Sequence, residues 1–95
     1  MREKEITSKF RAELRSRAQT ISPVVMVGHE GVTEGVVGAL DAALTDHELF
    51  KEKFHDFKDM VRDLSSDLAS KTESVLVSTT GFTAVFYRKN PEKST

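Results

Sequence analysis

Val24, Val25, Met26 and Val27 run without a polar interruption into Gly28-His29-Glu30-Gly31, and Thr33 then stands before a helical stripe at Val36, Val37, Leu40, Ala43 and Leu44. This junction restricts the possible folds more than any other stretch. A β-branched apolar run behind Pro23 predicts a short strand covered on both faces, which belongs in an α/β or α+β sheet rather than in a half-exposed hairpin. Thr33 has the side chain of a helix N-cap, and the stripe behind it has helical spacing. The expected order is therefore strand, glycine corner, helix.

The flanks fit the same class. Phe10, Leu14 and Ala18 recur every four residues, predicting a first helix over 8–19 with Thr7 or Ser8 as its cap. Its outer faces carry Lys9, Arg11, Arg15 and Arg17, with Arg11 and Arg15 one turn apart. Residues 49–54 alternate, Phe50 and Phe54 against Lys51 and Lys53, as a strand does; Glu52 falls on the Phe side, which implies a sheet edge or a wrong assignment. Phe57, Met60, Val61, Leu64 and Leu68 predict a third helix over 56–71, whose outer face holds Asp56, Asp59, Asp63 and Asp67. Residues 75–79 and 83–87 predict two strands around a turn at Gly81, followed by a polar tail. The order is αβαβαββ, four strands and three helices. Gly35 and Gly38 lie inside the second helix, where each costs about 1 kcal/mol relative to Ala. Close packing of helix on sheet is the expected reason for Gly38, and access to the backbone beside the corner for Gly35.

A chain of 95 residues suits a single domain over 1–95, with a core at about 8–88 and flexible ends at 1–6 and 90–95. No apolar run is long enough to span a bilayer, the first ten residues lack a secretory apolar stretch, and cysteine is absent, so a cytoplasmic address and no membrane contact are expected. The net charge of -1 hides an asymmetry: residues 1–27 carry +3, residues 28–74 carry -6 and residues 75–95 carry +2. A positive patch survives if the fold brings the first helix and the last strand together. His29, His47 and His55 do not have the spacing of a metal motif, no nucleophile sits in a recognisable elbow, and the corner lacks the lysine of an ATP-binding phosphate loop. Neither an enzyme nor a cofactor is expected.

Taken together, Pro23-Val-Val-Met-Val-Gly28-His-Glu-Gly31-Val-Thr-Glu-Gly35-Val, His47-Glu48-Leu49 and Val85-Phe-Tyr87-Arg88 resemble the CRM-domain family of YhbY-like RNA-binding proteins, over about residues 8–88. The resemblance implies a four-stranded mixed sheet with three helices, similar to the C-terminal domain of translation initiation factor three. It also implies a role with precursors of the large ribosomal subunit, since stand-alone bacterial members look like factors of that kind; plant relatives assist intron splicing. The chain departs from the family pattern at His29-Glu30, where a basic or amide residue is common, at Glu52 in an otherwise aliphatic strand, and at Gly81-Phe82, where Gly-Lys is common.

With that resemblance, the G-x-x-G corner becomes a candidate grip on RNA backbone. Glycines at 28 and 31 permit a tight turn of positive φ with no Cβ in the way, and the helix behind offers unpaired N–H groups and the positive end of its dipole to a phosphate. The expected RNA-binding residues are Gly28, His29, Glu30, Gly31, Thr33 and Gly35, with charge from Arg11, Arg15 and Arg88, a hydrogen bond from His29 that strengthens on protonation, and base stacking on Phe82. Tyr87 is expected in the core. The expected partner is ribosomal precursor RNA, with ribosomal proteins alongside and the chain a monomer. Two other readings stay open: the corner as a plain strand-to-helix turn, and the acidic face of the third helix as a dock for a basic ribosomal protein.

Overall fold

A computed structural model describes residues 6–21, 25–28, 30–55 and 58–89. Expectations for the chain ends, Pro23, Val24, His29, Asp56 and Phe57 fall outside these residues. Helix α1 (Ser8–Ala18) starts at Thr7, whose Oγ1 accepts from the Phe10 N–H at 3.0 Å. Strand β1 (Val25–Val27) leads through the glycine corner into α2 (Glu34–His47), and Thr33 caps this helix by accepting from the Val36 N–H at 3.2 Å. Strand β2 (Leu49–Phe54) follows at once. A 3-10 turn (Lys58–Met60), helix α3 (Val61–Thr72) and the hairpin of β3 (Val75–Thr80) and β4 (Thr83–Tyr87) complete the chain.

The strands lie in the order β1-β2-β4-β3, with β1 parallel to β2 and β4 antiparallel to both of its neighbours, β2 and β3. Strand alternation divides the apolar residues between two layers. On one face, Phe50, Phe54, Ala84 and Phe86 meet Leu40 and Leu44 of α2 and Val61, Leu68 and Ala69 of α3. On the other, Leu49, Val77 and Val85 meet Leu14 and Ala18 of α1. The molecule is a mixed α+β fold with a helix layer on each side of the sheet.

Three local expectations are corrected. The α-helical part of the third helix begins at Val61, after the 3-10 turn, so Met60 has left the apolar stripe and is 47% exposed. Glu52 does lie on a strand but at no edge: β2 runs between β1 and β4, Glu52 pairs with Val25 and Ala84, and its exposure is 0%. Burial pushes its carboxyl up to about 8, and neither oxygen has a hydrogen-bond partner among the described residues. Gly38 does not pack on the sheet; it is exposed, and a Cβ there would meet nothing within 4 Å. Gly38→Ala should therefore stabilise the fold by about 1 kcal/mol, a gain of about 4–8 °C in Tm for a domain of this size by thermal melting.

Strand β3 carries a bulge. Leu76 faces Phe86 and Ser78 faces Val85, so Val77 is one residue in excess. The guanidinium of Arg11 holds the irregularity, donating to the carbonyls of Leu76 at 2.8 Å and Val77 at 2.7 Å. After the extra residue, Ser78 and Thr80 are turned to the α1 side of the sheet.

Candidate nucleic-acid interface

The corner is a closed turn. The Gly31 N–H donates to the Gly28 carbonyl at 3.1 Å, and Gly31 takes φ +75°, a conformation that favours glycine. Of the two corner glycines, Gly31 takes positive φ and Gly28 does without it. The two glycines also differ in setting: Gly31 is buried, whereas Gly28 is exposed and a Cβ on it would meet nothing within 4 Å. Among the described residues nothing requires a glycine at 28, and its open side faces solvent. Behind the turn, Thr33 Oγ1 and carbonyl serve the N–H groups of Val36 and Val37. Those of Glu34 and Gly35, in the first turn, have no partner within the helix by construction. A shallow cleft of about 230 Å³ is lined by Gly28, Glu30, Gly31, Thr33 and Val36.

Among the described residues no Lys or Arg lines this cleft, Glu30 is part of its wall, and Glu34 is exposed at the start of the helix behind it. The nearby cations come instead from the end of the sheet that bears the corner. Val27 pairs with Phe54, its carbonyl accepts from the His55 N–H at 2.8 Å, and the Phe54 N–H donates to the Phe82 carbonyl at 2.7 Å. Gly28, Lys53, His55 and the hairpin turn of Gly81 (φ +57°) and Phe82 are thus gathered at one end, and Lys58 Nζ sits 6.0 Å from the centre of the Phe82 ring. Phe82 is partly buried against the core of α2 and α3, which limits the face it offers to a base. Lys53, His55 and Lys58 are not legible as site residues in the sequence, because only strand pairing brings them to the corner.

The expected arginines divide. Arg15 is exposed on α1. Arg11 is half-buried and committed to the bulge. Arg88 follows β4 at the opposite end of the sheet, roughly 17 Å along β2 from the corner at about 3.4 Å per residue. There it bonds Asp41 Oδ1 at 2.6 Å, the Asp41 carbonyl and Thr45 Oγ1 at 2.9 Å, and the Thr72 carbonyl at 2.8 Å. Tyr87 stands edge-on to Phe10, ring centres 5.3 Å apart. Its hydroxyl is pushed up by burial and then by Glu48, against the opposing pull of Arg17. Among the described residues, no group of His, Asp and Glu is placed to hold a metal, and no helix is long and apolar enough to cross a membrane.

A mixed α+β sheet with a glycine corner at a helix N terminus defines the class, and comparison with known proteins makes it specific. The CRS1 / YhbY (CRM) domain matches residues 6–88, and the chain belongs to this family. Over 88 residues it is 38% identical to "Probable RNA-binding protein PA4753" of Pseudomonas aeruginosa, covering 92% of this chain and 85% of that one. It is 33% identical to "RNA-binding protein" of Haemophilus influenzae, covering 92% and 89%. The solution structure of the Staphylococcus aureus protein SAV1595 superposes with a TM-score of 0.78 at 32% identity, covering 90% of each chain.

Proposed function

We propose that this chain is a single RNA-binding domain, with its core at about 8–88, that serves maturation of the large ribosomal subunit by holding precursor RNA at the glycine corner. The observation that carries the reading is Gly28: an exposed glycine with neither positive φ nor an internal neighbour, at the mouth of a helix whose first N–H groups have no partner within the helix. A phosphate approaching over Gly28 meets the amides of Glu34 and Gly35 and the positive end of the α2 dipole. Thr33 keeps that turn of helix in place, and His29 adds a hydrogen bond to the same strand of RNA. Glu30 opposes the phosphate, and Lys53 and Lys58 offset it from the neighbouring end of the sheet. Phe82, under Lys58, is the surface for a base edge. Arg11 and Arg88 act from further away, by holding the fold around the site. The names of the relatives support RNA as the ligand, and the sheet order supports a likeness to the C-terminal domain of translation initiation factor three.

Gly28 is also the better position to test. A side chain at Gly31 would disturb a buried residue of positive φ, so reduced binding there would confuse folding with recognition. Gly28→Glu should keep the circular dichroism spectrum and weaken binding to a labelled fragment of large-subunit precursor RNA on the order of tenfold, the effect of setting like charges against each other. Unchanged affinity removes the corner from the mechanism. A second reading is favoured by the exposed Met60 beside the exposed carboxylates of Asp59 and Asp63: docking of a basic ribosomal protein on α3. Retention on precursor particles that disappears once they are deproteinised would support it.

A further inference from the structure

The side of the sheet covered by α1 is covered only in part. Leu14 and Ala18 close over Leu49, Val77 and Val85, and beyond the C-terminal end of the helix the sheet lies open in a groove of about 450 Å³. Paired strand residues form its floor: Lys51, Val85 and Ser78 in one row, Thr83 and Thr80 in the next. Arg15 and Gln19 of α1 form a wall. Regular alternation from Leu76 through Val77 would turn Ser78 and Thr80 toward α2 and α3; the bulge at Val77 keeps them on this side.

The lining is chemically one-sided. Among the described residues it holds the guanidinium of Arg15, the ammonium of Lys51 and the hydroxyls of Ser78, Thr80 and Thr83, and no carboxylate. Among the described residues, neither Arg15 nor Lys51 forms an ion pair, and the three hydroxyls have no side-chain hydrogen bond. In a chain of net charge -1, a groove with two unpaired cations and three free donors is matched to an anion with many oxygens. The groove also points toward the corner. Across the ladder from Thr83, beyond the groove's own lining, stands Lys53, which pairs with Met26 of β1, two residues before Gly28. Gly28 is on the order of 10 Å away by strand spacing and rise, a gap that a few linked nucleotides span.

We propose that this groove is a second binding site for the RNA strand held at the corner: Arg15 and Lys51 contact its phosphates, and Ser78, Thr80 and Thr83 bond its phosphate or ribose 2′-hydroxyl oxygens. The inference rests on the RNA reading and extends it from one loop to a track running from α2, past the end of β2, to the α1 side of the sheet. A hydroxyl-rich floor suits ribose, whose 2′-hydroxyl both donates and accepts.

The test uses the full chain and a labelled 20-nucleotide single-stranded RNA of mixed sequence, titrated from 25 to 200 mM salt. The double variant Arg15→Gln, Lys51→Gln should bind more weakly, with a salt slope shallower by about 1.4, about 0.7 for each phosphate that is no longer neutralised. Lys71→Gln, a neutralisation on α3 outside the groove, should leave the slope alone. If Lys71→Gln flattens the slope as much, or the double variant does not, the groove is overturned while the corner stands or falls by Gly28→Glu. If the wild type binds no RNA at 25 mM salt, both readings fall together. A footprint on the unmutated protein covers the case of a misfolded variant: saturating RNA should protect Lys51 from amine acetylation and leave Lys71 reactive. Protection of Lys51 by poly-aspartate but not by RNA would make the groove a peptide site and overturn the proposal.

Discussion

Glu52→Met should raise the urea midpoint of this protein, and by far more at pH 8.5 than at pH 5. The Glu52 carboxyl is fully buried, lacks a hydrogen-bond partner among the described residues, and has been pushed from 4.5 to about 8 by burial. Among the described residues, those buried on the helices above are uncharged: Leu40 and Leu44 on α2, and Val61, Ser65, Leu68, Ala69 and Thr72 on α3. Between pH 4.5 and 8 the folded chain keeps a proton that the unfolded chain releases, so stability falls as pH rises through that window. Below it both states are protonated, and the penalty is absent. Above it both are ionised, and the full penalty remains, on the order of 5 kcal/mol from a shift of this size. Methionine has similar length and no charge, and removes both this slope and the unsatisfied oxygens. Glu52→Gln should flatten the pH dependence too, with a smaller gain at pH 5 because its amide stays unpaired. Equal wild-type midpoints at pH 5 and 8.5 would show that the carboxyl finds a partner or water.

Arg88→Ala should destabilise the fold by about 2–3 kcal/mol, read by urea or thermal unfolding, and Arg88→Lys should recover little of it. One guanidinium ties the end of β4 to α2 through Asp41 and Thr45 and to α3 through the Thr72 carbonyl. An ammonium cannot present that fork to three directions. The ion pair itself supplies the smaller share, because Asp41 is 57% exposed and solvent screens it. The effect on RNA affinity should follow the depletion of folded protein and vanish under conditions where the variant is fully folded. A large drop in affinity in a fully folded variant would return Arg88 to the ligand.

What could be read in advance was local. Thr7 and Thr33 cap their helices because a threonine before an apolar stripe has a partner three residues away, and β2 shows its two faces in its own alternation. Alternation also put Glu52 on the side of the two Phe residues, and only the general habit of carboxylates suggested an edge. Arg88 looked like a free cation because its acceptors are 16 to 47 residues distant in sequence. Gly38 seemed to need a packing reason that its outward position removes. The Gly28 corner was visible as a motif, but the cations beside it and the groove beyond were not, since the strand order β1-β2-β4-β3 decides which residues share an end of the sheet.

The odd residue in β3 has an evolutionary consequence. Deleting Val77 would restore a regular ladder with Ser78 still opposite Val85, but it would take away one of the two carbonyls that hold Arg11 and leave a half-buried guanidinium short of an acceptor. Relatives that keep the extra residue should therefore keep a guanidinium or an equivalent donor opposite it on the first helix, and those one residue shorter in β3 should be free to lose it.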